Sequence, residues 1–226
     1  MAEIHGLDIV KRGLVLNLDA GNPQSYDGNA VGIRDLISGN MSQFSNGPYF
    51  TSTNKGTIIF DGINDYIDFS APGLTTTATV EMWMKLGSSY SNKMPFGWLR
   101  YDVYCLGGAI GYNTGNSDCF GITQAQVISL GLQNNWAHYI FEMRSDVVYT
   151  ANKIYINGQN QTLSQITSSE SASDRNFNSG NGRISGWKAG SYQIPMQMAS
   201  FRVYNRQLDQ TEITQNFNAN RNRFAI

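Results

Sequence analysis

The chain has 226 residues, with 41% hydrophobic and 12% aromatic side chains, which is enough for a sizeable core and ordinary for one β-sandwich. Charged residues make up only 15%, below the usual quarter, and the net charge is -1, so no basic footprint invites nucleic acid and no charged tail stands out. No stretch approaches the roughly 20 apolar residues of a membrane span, and residues 1–12 hold no apolar run of signal-peptide length, so the expectation is a product of a reducing cytoplasm without membrane insertion.

In chain order, Leu14, Leu16 and Leu18 share one face of a strand over 14–19. Residues 20–26 are Gly/Asn/Pro punctuation. Residues 27–54 read as loop, with one ordered segment at 33–37. Residues 56–69 read as strand, tight turn, strand. Ile58 and Phe60 alternate with Ile59 on the first arm, and Tyr66 and Asp68 with Ile67 and Phe69 on the second. Between them Gly62 supplies the positive φ of a hairpin. The clearest single strand is 79–86, with Val80, Met82, Met84 and Leu86 on one face and Glu81, Trp83 and Lys85 on the other. Further strands are expected within 96–110 and at 119–123.

The second half repeats the pattern. Residues 136–143 form an aromatic-rich strand, and 153–158 a strand ending in Asn157 and Gly158, the strongest short hairpin signal. Residues 167–182 read as polar loop, and 182–187 and 197–204 as the last strands. Asp209 with Glu212 three residues later makes a capping box, and Ile213 and Phe217 share one face of the helix it starts. Many short strands and one closing helix predict an all-β, two-sheet antiparallel jelly-roll sandwich with a short C-terminal α-helix at about 209–222. With no linker and no fixed repeat, residues 1–12 are expected to be an N-terminal arm and 13–226 one domain.

Cys105 and Cys119 flank a hairpin tip at 112–117, which would let them face each other across two strands. No histidine or third cysteine lies nearby in sequence, so both are expected as free, small buried hydrophobes.

Six segments in order carry a resemblance: Leu14–Gly21, Phe60–Tyr66, Val80–Trp83, Trp136–His138, Ile154–Gly158 and Val203–Arg206. Together they resemble the laminin-G-like branch of the concanavalin A-like jelly rolls over nearly the whole chain. The opening Leu18-Asp19-Ala20-Gly21-Asn22 and the closing Tyr204-Asn205-Arg206-Gln207-Leu208 with Glu212-Ile213-Thr214-Gln215-Asn216-Phe217 look most like versions in structural proteins of tailed bacteriophages. In relatives the fold carries carbohydrate binding, glycan hydrolysis, calcium-dependent binding or structural contact, so each is weighed on the residues.

Hydrolysis needs paired carboxylates about 5–10 Å apart. The glucanase-type Glu-x-Asp-x-x-Glu run is missing; Glu81 and Glu142 each stand alone on a strand, and no nucleophile motif pairs with His138. His138 reads as a packed, hydrogen-bonded structural residue. Asp19, Asp61, Asn64, Asp65 and Asp68 offer oxygen ligands for calcium, but the acid that calcium-bearing relatives place before the last strand is missing, and turn chemistry accounts for them. The expectation is no cofactor, with calcium not favoured. A sugar site needs an aromatic plate with polar neighbours. Trp98, Arg100, Tyr101 and Asp102 are the densest such mixture; Trp187 and Tyr192 form a second.

The sequence therefore predicts a non-enzymatic virion structural protein, a capsid- or tail-associated accessory (decoration) subunit. Its partners would be other virion proteins in a homo-oligomer or lattice, with Arg221, Arg223, Phe224 and Ile226 as tail hooks. The alternative is a lectin-like module that binds surface glycans for host attachment. An accessory domain of a secreted hydrolase comes third.

Overall fold

The computed structural model describes residues 8–28, 31–114, 118–167 and 175–226. In chain order these form β1 (Leu14–Asp19), β2 (Gly32–Arg34), β3 (Met41–Ser45), β4 (Tyr49–Thr51), β5 (Thr57–Asp61), β6 (Tyr66–Ser70), β7 (Thr77–Leu86), β8 (Phe96–Gly97), β9 (Asp102–Tyr104), β10 (Ile110–Asn113), β11 (Cys119–Ile122), α1 (Gln124–Ser129), β12 (Trp136–Arg144), β13 (Lys153–Ile156), β14 (Gln159–Asn160), β15 (Ser164–Thr167), β16 (Asn181–Ile184), β17 (Pro195–Tyr204) and α2 (Gln210–Asn220). Two antiparallel sheets make the sandwich. The first runs β14-β13-β12-β7-β17-β5-β4, with β1 also paired to β17; the second runs β15-β11-β10-β9-β8-β16-β6-β3-β2.

The long central strands follow their alternation. Val80, Met82 and Met84 of β7 and Ala137, Tyr139 and Phe141 of β12 point into the core between the sheets. On β17 the phase changes at Ala199, where a bulge lets Met198 and Phe201 both face inward. Asp209 caps α2 through the Glu212 amide, and the Glu212 side chain bonds the Asp209 amide in return, as the spacing predicts. At Asn157 (φ 51°) and Gly158 (φ 79°) the chain makes the tight hairpin joining β13 to β14.

Residues 56–69 are not a hairpin. Strand β5 pairs with β4 and β17 in the first sheet, whereas β6 pairs with β3 and β16 in the second. The turn carries the chain from one layer to the other. Asp61 accepts from the Ile63 amide at 2.7 Å, and Asp65 from the Asp61 amide at 2.9 Å. Gly62 has φ 77°, and a Cβ there would lie 2.5 Å from Pro195 Cδ. The stretch 27–54 holds three short strands rather than loop, and the helix α1, with its Thr123/Gln126 capping box, is an addition to the sequence reading.

Cys105 and Cys119 do not face each other across neighbouring strands, because β10 lies between β9 and β11. Both are buried and free. Burial pushes both thiols up, Cys119 to about 12 with the added repulsion of Asp118. Neither thiol is therefore expected to react with a thiol reagent at pH 8 in the native protein, and both are expected to react once it is denatured. Prompt labelling of the native protein would contradict the burial.

Candidate functional site

The outer face of the first sheet has two unlike parts. Most of it is covered by the chain's own ends, and the polar residues under this cover form one network. Arg202 Nη1 lies 2.6 Å from Glu81 Oε1, its Nε 3.1 Å from Asn17 Oδ1, and its Nη2 3.2 Å from Asp19 Oδ2. Asn216 of α2 donates to Glu81 Oε2 at 2.6 Å and accepts from the Val10 amide at 2.8 Å, which pins both the helix and residues 8–12. Burial would raise the Glu81 carboxyl, but the Arg202 guanidinium and the neighbouring His138 together outweigh it, and the carboxyl is held at about 2. His138 is packed beneath Phe217. Its Nε2 is 3.3 Å from Glu81 Oε1 but out of hydrogen-bond alignment, and Nδ1 has no partner, so only the packing half of the sequence reading holds.

Beyond α2 the tail continues the cover. The Phe224 ring stacks on Trp83 (4.3 Å between centroids, 13°) and leans on Trp136 (4.7 Å, 38°). Arg223 bonds Asp19 Oδ1 at 2.8 Å, the Asn54 carbonyl at 2.5 Å and the Gly56 carbonyl. Arg223 and Phe224 thus make their contacts within the chain, with the tail folded back on its own sandwich. Arg221 stays exposed, 5.8 Å over Phe217, and Ile226 is 41% exposed.

The cover stops one row short of the sheet's end. Register places Trp136 opposite Lys85, Lys85 opposite Gln197, Gln197 opposite Ile59, and Ile59 opposite Tyr49. Directly opposed residues share a face, so these five form one line across β12, β7, β17, β5 and β4. The first four are half-buried and Tyr49 is 56% exposed. Two depressions meet at Lys85, on this line, and at Asn134 beside it. One, of about 480 Å³, is lined by Trp136, Asn134, Asn135 and Asn157 and walled by the 224–226 tail; the other, of about 170 Å³, is lined by Ile59, Gly87, Pro195 and Gln197. Asn157 uses its oxygen on the His138 amide and keeps its NH2 unused, while Asn135 donates to two carbonyls and keeps its oxygen. Asn134 (φ 60°) is exposed beside them. An aromatic plate with several unspent amide groups can stack a sugar ring and bond its hydroxyls.

The stretches read as sugar plates from sequence lie elsewhere. Trp98, Tyr101 and Asp102 are fully buried, Trp98 and Tyr101 in the core, so none is a solvent-facing plate. Trp98 packs edge-on against Phe177, and Tyr101 accepts from Asn152. Arg100 is exposed. Trp187 donates to the Leu99 carbonyl at 3.0 Å, which joins the two stretches, and Tyr192 is 39% exposed with its ring edge on Tyr104.

Asp102 has a consequence of its own. Burial pushes its carboxyl up to about 8, aided by Asp118 and opposed by the Asn113 hydrogen bond at 2.9 Å. A carboxyl that ionises near 3.8 when unfolded and near 8 when folded costs stability as pH rises between those values. Denaturation of the wild type and Asp102→Asn should therefore diverge from pH 4 to pH 8, the wild type losing more. Parallel curves would contradict this.

The proposed calcium ligands are otherwise engaged. Asp19 pairs with Arg202 and Arg223, and Asp68 with Arg183 and Lys188, while Asp61 and Asp65 accept turn amides. Asn64 is exposed in that turn, its carbonyl accepting from Asn46. Among the described residues no three His, Cys, Asp or Glu side chains converge on an ion site. Nor is any helix among them long and apolar enough to cross a membrane.

The family model of the concanavalin A-like lectin/glucanases superfamily, in its laminin-G form, matches residues 61–214. No curated protein matches the chain. Among solved structures, the Trypanosoma rangeli sialidase in complex with the inhibitor DANA is similar at TM-score 0.63 and 14% identity, over 96% of this chain and 36% of that one. The binding domain of botulinum neurotoxin DC in complex with rat synaptotagmin II is similar at 0.60 and 11%, over 92% and 52%. The botulinum neurotoxin serotype D ligand-binding domain in complex with N-acetylneuraminic acid is similar at 0.59 and 11%, over 91% and 50%. This chain spans about half the length of those toxin domains, and at such identities the likeness is one of fold.

Proposed function

The chain belongs to the concanavalin A-like lectin/glucanases superfamily, and from that premise we propose that it is a glycan-binding module whose site is the groove at Trp136. The observation that carries this is the half-buried Trp136 beside Asn134, Asn135 and Asn157, whose amide groups retain unspent hydrogen-bonding capacity. Solved neighbours described as binding N-acetylneuraminic acid or as a sialidase support the same class of ligand.

The module binds without cleaving. Among the described residues no carboxylate side chain lines the groove, whereas glycoside hydrolysis uses a pair. Glu81 is sealed under α2 against Arg202, and Glu142 is buried beside Gln207 and Lys153. The setting we propose is a virion made in the host cytoplasm, on the strength of the phage-like segments at 18–22, 204–208 and 212–217. Mass spectrometry of purified particles tests that setting, and absence of the chain from them would remove it.

The site is tested on an immobilised glycan panel. Wild type is expected to retain a subset of glycans. Asn134→Gly, which keeps the positive φ, and Trp136→Ala are each expected to weaken retention by about tenfold or more. No retained glycan, or retention indifferent to both variants, would overturn the reading.

A further inference from the structure

We propose that the groove takes an acidic oligosaccharide laid across the strands, its carboxylate or sulfate pairing with Lys85 while rings stack at Trp136 and at Tyr49. This rests on the glycan reading above and names its ligand class. Two observations carry it. The first is the register. Trp136 and Tyr49 end a line of five opposed residues. Four inter-strand steps span about 19 Å, longer than a single sugar ring. Trp136, Lys85, Gln197 and Ile59 of this line border the two depressions, which share Lys85 and Asn134, and Tyr49 stands one strand beyond them. An oligosaccharide is the ligand that would use both ends.

The second is Lys85 itself. It is half-buried, and the residues directly opposite on either side, Trp136 and Gln197, are uncharged. Of the described residues lining the two depressions, it alone has an ionisable side chain. Its ammonium makes no hydrogen bond or ion pair with any described residue. Other shielded cations here do: Arg183 and Lys188 share Asp68, Arg202 has Glu81, Arg206 has Glu212 and Arg223 has Asp19. An ammonium bordered by amides and rings, with no anionic side chain among the described lining residues, is open to an anion. A uronate, sialate or sulfate group would supply it.

The test is a panel of linear glycans carrying each backbone in acidic and neutral form: uronates with their methyl esters, and sulfated chains with unsulfated ones, as di- and tetrasaccharides. Calorimetry follows for the tightest pair. Acidic members are expected to bind about tenfold more tightly than neutral ones, with an advantage that shrinks as salt rises. Lys85→Gln should erase the preference and Lys85→Arg should keep it. Tyr49→Ala should weaken tetrasaccharides by about fivefold and leave disaccharides unchanged. Equal binding of both forms with Lys85→Gln silent overturns the acidic assignment while the glycan site stands. A silent Tyr49→Ala overturns the extended pose. If no member of the panel binds, the glycan reading falls with both.

Discussion

Replacing Arg202 with methionine is expected to lower the unfolding free energy by about 3–5 kcal/mol, the range for stranding one member of a buried ion pair. The guanidinium holds Glu81, Asn17 and Asp19 together on the outer face of β7, β1 and β17. Without it the buried Glu81 carboxylate keeps only the Asn216 and Tyr204 hydrogen bonds and the misaligned His138. The double variant Arg202→Met, Glu81→Gln should recover much of the loss, because a neutral amide keeps an acceptor for Asn216 without a stranded charge. Acid gives the same sign in the wild type. Glu81 ionises near 4.5 when unfolded and near 2 when folded, so its contribution is full above 4.5 and is lost as pH falls toward 2. Urea denaturation reads all three effects, and a loss under about 1 kcal/mol would mean the pair sits in a far wetter site.

Truncation after Asn220 should also cost stability, about 3 kcal/mol, rather than leave a sound fold with a missing hook. It removes the Phe224 ring from Trp83 and Trp136 and the Arg223 bonds to Asp19, Asn54 and Gly56. Trp83, fully buried in the intact chain, would meet water. The readouts are a lower Tm and a red-shifted tryptophan emission. Phe224→Ala separates the two anchors, since Arg223 stays in place. The truncation also takes one wall of the groove, so glycan affinity should fall with it. An unchanged Tm would contradict this view of the tail.

What the sequence made legible was set by distance along the chain. Strands β7, β12 and β17 could be read because their own alternation is long, and α2 because Asp209 and Glu212 are three residues apart. Alternation identifies a strand but not its partner. The turn at Asp61 and Gly62 looks the same whether the chain returns in its own sheet or crosses to the other, so sequence alone reads β5 and β6 as a hairpin. Trp98 and Tyr101 have polar neighbours in sequence, but they lie in the bend between β8 and β9, where no alternation says which way a ring faces; here both turn inward. The groove is joined only by register. Trp136, Lys85, Gln197, Ile59 and Tyr49 come from five strands, and no local pattern links them. One local signal did exist, the amide run Gln133-Asn134-Asn135 immediately before a tryptophan at a strand's start.

The most direct test of the account follows the four indole N–H resonances of ¹⁵N-labelled protein during titration with the best-retained glycan of the panel. Trp136 should shift progressively to saturation, Trp83 slightly through the shared Phe224 contact, and buried Trp98 and distant Trp187 hardly at all. Shifts centred on Trp187 with Trp136 unmoved would place the ligand on the opposite sheet and contradict the groove.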